Sequence, residues 1–557
     1  MEWVQVYDPL GSALLSTIAA ALPIVLLLFT LGILERPAHQ AALVGLLAAV
    51  LVAIFIYGMP ISAASAAALQ GAAYGLFPIG WIVLNAVFLY QLTVSTGTFE
   101  IVKSSVAHLS ADRRIQALLV AYSFGIFIEG AAGFGTPVAI SSALMIGLGF
   151  SPLHAAGLSL IANTAPVAFG AIGTPIITLA AITGISPLQL SAMAGRQLAF
   201  VSILIPMWLV VTYSGWKGLK GVWPVALVSG ASFAAVQLLW SNLVGPELVG
   251  IVGGVVSLVS TAAFCSWWKP ADIWESSPSS PLSSEGVRVS RREAMRAWMP
   301  WVFLSMFVML WGIGPVKAGL SRGSILAPSF DVPGLHRMVY REYPVEPAPA
   351  DRARLADPAY KSKRAEPARF TLNWLSATGT GILFASLATA LYLRIPLGHF
   401  FAIAARTFRR MRWPLVTIAL MMSIGFVTRY SGTDATLGLA FTRTGFFYPF
   451  FAAMLGWLGV ALTGSDTSSN VLFGSLQKIT AQQLGLNPVL ITAANSTGGV
   501  MGKMIDAQSI VVATASTGQQ GQEGKILRFV FWHSVVLASI MGAIVMLQAY
   551  VFPWMIP

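Results

Sequence analysis

The sequence predicts an all-α polytopic membrane protein of about 12 spanning helices plus two re-entrant hairpins, arranged as two inverted repeats with broken helices. Three observations predict it. The chain has 557 residues, of which 56% are hydrophobic and only 10% charged, whereas soluble domains carry about 25% charged residues. The apolar residues fall in runs such as Ile18–Leu34, Ala41–Tyr57 and Ser534–Phe552, close to the ~20 residues a helix needs to cross hydrocarbon. Basic residues crowd into alternate loops, as the positive-inside rule requires.

Full crossings are expected near 12–34, 38–57, 75–95, 153–184, 197–213, 222–243, 247–268, 298–314, 371–393, 413–428, 488–517 and 527–552. Two further apolar stretches, 115–149 and 446–484, are each broken in the middle by a small, polar run. Each reads as a hairpin that enters and leaves by one face; irregular backbone at that depth survives only where protein or water satisfies it. The first repeat half is then 1–275, with hairpin 115–149 and broken helix 153–184. A cytoplasmic linker at 276–297 carries the serine- and proline-rich stretch 276–284. The second half is 298–557, with an extracytoplasmic loop at 315–370, hairpin 446–484 and broken helix 488–517.

Charge sets the orientation. With both termini outside, the short inside loops hold Arg36, Lys103, Arg113, Arg114, Lys217, Lys220, Lys269, Arg288, Arg291, Arg292, Arg296, Arg394, Arg406, Arg409, Arg410, Arg412, Lys525 and Arg528, eighteen in all. The short outside loops hold three: Arg196, Arg429 and Arg443. Reading either hairpin as a full crossing would put Arg406–Arg412 outside. The proline-rich 315–370 loop carries both signs of charge and is expected to pack loosely.

Other classes find little support. The net charge of +12 reflects cytoplasmic loops rather than nucleic-acid binding, because no nucleic-acid motif accompanies it. The single cysteine, Cys265, permits no disulfide within the chain. The first apolar run is too long for a cleavable leader, and Glu2 and Asp8 precede it instead of basic residues. With no His/Cys metal cluster and no P-loop, neither a metal or other cofactor nor enzymatic or ATP-driven chemistry is expected.

The two halves match in order. The first reads Glu129 to Pro137, then Gly149-Phe-Ser-Pro152, then Asn163 to Pro175. The second reads Thr463 to Asn470, then Gly485-Leu-Asn-Pro488, then Asn495 to Lys503. Each is a hairpin tip, a G-x-(S/N)-P turn and a crossing interrupted at an asparagine followed by hydroxyl and glycine residues. Paired interrupted segments in matching positions point to a transporter site near the midplane. A helix broken there offers free N–H groups and a partial positive charge to an anion. Gly135, Gly173, Thr136, Thr164, Thr174, Ser465, Thr467, Ser468, Ser469, Ser496 and Thr497 supply close backbone approach and hydroxyls for a small carboxylate substrate. Glycines also serve plain helix packing in membranes.

Glu129, Asp466 and Asp506 are the acidic residues inside these motifs; the other acids fall in loops, tails or flanks. Intramembrane ionisable groups mark ion and proton pathways, and desolvation favours the neutral form of a carboxyl group. Asp506 also suits an N-cap. Lys503, three residues earlier, either neutralises Asp506 or faces the substrate carboxylate. Asn163, Asn470 and Asn495 either coordinate a ligand or satisfy broken backbone. Arg196 and Arg429 read as solvated helix ends, and His154 as structural.

The motifs EGAAGFGTPVAISSALMIGLGF (129–150), ANTAPVAFGAIGTPI (162–176), TGSDTSSNVLFGSLQ (463–477) and AANSTGGVMGKMIDAQSIVVA (493–513) resemble the L-lactate permease family, with similarity along most of the chain. The resemblance implies proton-coupled uptake of 2-hydroxymonocarboxylates (L-lactate, often D-lactate and glycolate) across the bacterial inner membrane. It also implies a broader ion-transporter group whose dicarboxylate members carry Ser-Asn-Thr motifs at hairpin tips and broken helices. Ser469-Asn470 and Asn495-Ser496-Thr497 are similar to these, Asn163-Thr164 more loosely. Sodium-coupled uptake and an anion channel remain the alternatives; the lipid bilayer, the substrate and protons are the expected partners. A homodimer fits the pattern without being required by it.

Overall fold

The computed structural model describes residues 2–32, 34, 36–107, 109–133, 135–274, 290–323, 325–345, 364–519 and 522–557. Most of the expected 276–297 linker and residues 346–363 of the long loop lie outside the described residues. Among those described, ten helices are long and apolar enough to cross a membrane, or eleven if one bent pair counts as a single span.

Helices α1 (Ala13–Gly32) and α2 (Ala38–Leu51) come first, α2 running on through Val52–Ile56. Next is a 35-residue stretch, Ile61–Ser95, longer than the crossing expected at 75–95. It comprises α3 (Ile61–Tyr74) and α4 (Trp81–Ser95), joined through a kink at Phe77. Proline at 78 removes the ladder donor there. Helix α5 (Thr98–Ala107) follows.

The 115–149 stretch folds as two antiparallel helical arms, of which the first is itself long and apolar enough to cross a membrane. Helix α6 (Arg113–Ala131) ends before Ala132, and α7 (Thr136–Gly147) doubles back along it. Ser141 on α7 donates to the Val120 carbonyl on α6 at 3.2 Å. Gly133 and Gly135 sit at the break with φ of 58° and 77°, a left-handed backbone that glycine alone adopts without strain.

The first interrupted crossing is α8 (Pro152–Ala162) and α9 (Val167–Thr183), bent by 64°. Ser151 caps α8. Helix α10 (Pro187–Leu243) spans 57 residues but turns back at Gly215, where φ is 68°. Its two arms pack side by side: Ser202 donates to Gln237 at 2.7 Å and Arg196 to Asn242 at 2.8 Å. These arms are the expected crossings at 197–213 and 222–243. Helix α11 is Val249–Trp267, α12 Arg291–Gly312, α13 Gly314–Leu320, α14 Thr378–Tyr392 and α15 Leu397–Ser431.

Helix α16 (Thr433–Phe441) leads into the second hairpin, α17 (Tyr448–Thr463) and α18 (Asp466–Gln483). Tyr448 donates to Gln477 at 2.7 Å, and Gln477 donates to the Ala452 carbonyl at 2.9 Å, fixing the antiparallel arms. The second interrupted crossing is α19 (Pro488–Gly502) and α20 (Ala507–Thr517), joined through Lys503–Ile505 and Asp506. Helix α21 (Glu523–Tyr550) closes the fold.

The long loop is not loose where it is described. Strand β1 (Trp3–Val4) pairs in parallel with β3 (Val339–Tyr340), and β2 (Ser329–Asp331) pairs antiparallel with β4 (Arg369–Thr371). Glu366 binds Arg341 and Arg429, so Arg429 is held by the loop rather than solvated. The expectation of loose packing rested on local composition; what orders the segment is contact with the distant end of α15.

Among the described residues, the two largest hydrophobic cores each draw on both sequence halves. One gathers α1, α2, α3, α15 and the middle of α18; the other gathers α6 to α12, α19 and α21.

Candidate functional site

Helix termini build the site. The left-handed Gly464 ends α17, and the Ser465 hydroxyl caps α18 by accepting from the Ser468 amide at 3.2 Å. The first amides of α18 therefore point out of the hairpin tip without helical acceptors of their own. On the other side, α9 begins with a distorted turn in which Ala171, Ile172 and Gly173 have φ of 43°, 58° and 72°. That turn brings the Gly170 backbone onto the Glu129 carboxylate so closely that a Cβ there would collide with it.

These termini enclose one cavity of about 350 Å³. Both hairpin breaks and both interrupted crossings reach it: Glu129, Gly133 and Gly135; Gly170, Ala171, Thr174 and Pro175; Thr463 to Ser468; and Lys503, Gln508 and Ser509. More of the wall comes from Val83, Val167, Val471, Val512, His39 and α15, which contributes Trp413, Thr417, Ile418, Met421 and Met422. Since Met421 and Val471 belong to one core and Val167 to the other, the cavity sits where the two cores meet.

The charged groups are buried and sparsely partnered. Asp466 Oδ2 accepts from the Ser496 hydroxyl at 2.5 Å, while its Oδ1 and the Glu129 Oε2 find no hydrogen-bond donor in the protein. Lys503 donates to the Gly464 carbonyl at 2.6 Å and lies 3.1 Å from Asp506. Asp506 in turn caps α20 through the Ser509 amide at 2.8 Å. Lys503 thus ties the two broken elements of the second half together and still faces the cavity. Both sequence readings of it, as a neutralising partner and as a cavity cation, have geometry behind them.

Of the residues singled out from sequence, Glu129, Gly135, Thr174, Ser465, Asp466, Thr467, Ser468 and Lys503 line the cavity together. Ten do not. Thr136 follows Gly135 just behind the break, Asn163 and Thr164 are buried at the end of α8, and Gly173 packs on Pro246. Asn495 donates to Asn470 at 2.9 Å, and Asn470 to the Pro175 carbonyl at 3.2 Å. Ser469 donates to the Gly456 carbonyl at 3.2 Å, and Thr497 to Gln197 at 2.6 Å. Ser496 reaches the cavity only through Asp466, and Asp506 only through Lys503. Asn470, Asn495 and Thr497 therefore pair with broken backbone and neighbouring helices rather than with the cavity.

Sequence reasoning passed over His39, whose ring stacks on Trp413 at 4.3 Å, and Gln508. Its one available signal was a histidine at the start of a spanning run. It also placed Asp434 among the loop acids. In the structure Asp434 is 6% exposed, accepts from the Ala435 amide at 2.6 Å and from Ser475, and lies at the start of α16. Gly432 stops α15, and the chain re-enters a helix at once, which composition alone does not reveal.

Two broken elements and two hairpin tips closing on one cavity that holds buried charged groups, inside ten or eleven membrane-length helices, make this a multi-pass membrane transporter. A family model described as L-lactate permease matches residues 16–552, and the chain belongs to the L-lactate permease family. It is a transport protein and not an enzyme. Glycolate permease GlcA of Escherichia coli (strain K12) is 45% identical over 576 residues, covering 100% of both chains. L-lactate permease of the same strain is 43% identical over 564 residues, again covering 100% of both. Among solved structures, the YdaH transporter of Alcanivorax borkumensis overlaps 88% of this chain and 89% of its own at 14% identity, with a TM-score of 0.45.

Proposed function

We propose that this chain is a proton-coupled symporter of small 2-hydroxymonocarboxylates, L-lactate, D-lactate and glycolate, in the bacterial inner membrane, with both termini outside. The observation that carries the reading is the meeting of Glu129, Asp466 and Lys503 with hydroxyls and helix termini in one cavity. The names of the relatives, a glycolate permease and an L-lactate permease, support the substrate class.

The first amides of α18, with Thr467, Ser468 and Lys503, bind the substrate carboxylate. Thr174 and the open backbone at Gly135 take the 2-hydroxyl. Asp466 and Glu129 carry the proton. An ionised carboxylate buried with an oxygen unpaired is costly, so each alternates between a charged form when water reaches it and a neutral form when the cavity closes. Asp506 holds Lys503 in place. In the orientation set by the basic loops, the end of the cavity at His39 and Trp413 lies toward the cytoplasm.

Uptake into proteoliposomes under an imposed pH gradient without sodium tests the coupling. Accumulation of labelled L-lactate is expected. Uptake that needs a sodium gradient and ignores pH ends the proton assignment, and unsaturating single-channel currents end symport altogether. Counterflow against a panel of carboxylates tests the substrate class.

A further inference from the structure

The wall that α15 gives the cavity is mostly apolar and long. Trp413, Thr417, Ile418, Met421 and Met422 recur at spacings of four, one, three and one residues, which is one face of α15. At 1.5 Å per residue they form a stripe roughly 13 Å long. A lactate methyl group covers only the first carbon of such a stripe, and glycolate has none to offer it. The cavity volume of about 350 Å³ falls in the range of pockets that hold drug-sized ligands, about 300–1,000 Å³. A three-carbon acid leaves much of it unused.

The residue types matter as much as the length. Two adjacent methionines are adaptable fillers that shape themselves to different apolar partners. Among the described residues, the charged side chains lining this cavity are Glu129, Asp466 and Lys503, all on the hairpin tips and broken crossings; α15 contributes none. One end is thus built for a carboxylate with a neighbouring hydroxyl, and the other for hydrocarbon.

Resting on the function proposed above, we infer that the site accepts 2-hydroxymonocarboxylates with longer apolar side chains, of four to about six carbons in total, and rejects dicarboxylates of the same length. Each added methylene that meets the α15 stripe tightens binding by up to about fourfold, the equivalent of its transfer from water. A second carboxylate in the same place would lie against Ile418, Met421 and Met422, whose side chains offer it no hydrogen-bond donor.

The full-length protein in proteoliposomes decides this. Glycolate, lactate, 2-hydroxybutyrate, 2-hydroxypentanoate and malate are each used to compete with labelled L-lactate, then loaded inside to drive counterflow. Half-inhibition concentrations are expected to fall at least threefold from glycolate to 2-hydroxybutyrate and to stay low for 2-hydroxypentanoate. Both longer acids should drive counterflow, and malate should do neither. If lactate is carried but inhibition weakens tenfold or more on passing to 2-hydroxybutyrate, the long-chain inference is overturned while the lactate reading stands. If lactate itself is not carried, both fall. The Met421→Trp variant, checked for monodispersity, should lower the ratio of 2-hydroxypentanoate to lactate inhibition at least fivefold; an unchanged ratio also overturns the inference.

Discussion

The Ser496 hydroxyl donates to Asp466 Oδ2 across 2.5 Å. The bond joins the interrupted crossing α19 to the tip of the second hairpin, and Asp466 Oδ1 has no protein donor of its own. Substituting Ser496→Ala removes a hydrogen bond to a charged group, of the kind that contributes about 1.5–3 kcal/mol. Gradient-driven lactate accumulation is expected to fall by about tenfold or more, while Ser496→Thr retains much of it. Equal accumulation in all three proteins would remove this bond from the mechanism.

Asp466→Asn and Glu129→Gln keep the shape of the cavity and delete its ability to exchange a proton. Each is expected to abolish accumulation driven by a pH gradient while leaving lactate–lactate exchange measurable, because exchange needs no net proton movement. Wild-type accumulation in both variants would exclude these carboxylates as the proton carriers.

Lys503 contacts the Gly464 carbonyl and Asp506 while facing the cavity. Lys503→Gln is expected to raise the half-saturation concentration for lactate by about tenfold or more, the loss of one charge-assisted contact. A lowered maximal rate with unchanged half-saturation would make Lys503 a brace for Asp506 only.

Much of this arrangement is legible in the sequence. Apolar run lengths mark most of the helices, and small polar residues in the middle of two long runs mark both hairpin tips, because only a break explains Gly133 and Gly135 or Gly464 and Ser465 in such surroundings. The glycines were less informative than they looked. Gly135 opens onto the cavity, but Gly498 and Gly502 let α19 lie against the backbone of Ala453 and Trp457 on α17; one residue type serves two purposes that no local pattern separates. The cavity wall on α15 was hidden for a related reason: an apolar helix face reads the same whether it meets lipid or a ligand. The burial of Arg429 and Glu366 was illegible because the two residues, 63 positions apart, meet only in three dimensions.

The close approach of α17 and α19 makes a stability prediction. A Cβ at Gly498 would collide with the Ala453 carbonyl, and both are helix backbone that cannot step aside cheaply. Gly498→Ala is expected to lower the thermal unfolding midpoint in detergent markedly and to reduce the yield of folded protein, whereas Gly524→Ala, with open space around it, should change neither. Similar midpoints for both would mean that the two helices are not held at this distance.

Glu366 provides a pH test away from the spans. Burial pushes its carboxyl group upward, but the Arg429 and Arg341 guanidiniums outweigh that and hold it below its ordinary value of 4.5. A carboxyl group whose folded value is depressed binds fewer protons in the folded protein than in the unfolded chain. Its contribution to stability is therefore fully present above pH 4.5 and is lost as the pH falls below that through the folded value. The unfolding midpoint of the wild-type protein should drop over that acid range, and the Glu366→Gln variant should show a shallower drop. At neutral pH the same variant leaves two arginines without their carboxylate and is expected to lose about 3 kcal/mol, as when one partner of a buried ion pair is removed. Thermal unfolding of both proteins across pH 3–7 checks the slope and the offset together; parallel curves would show that Glu366 carries none of the acid sensitivity.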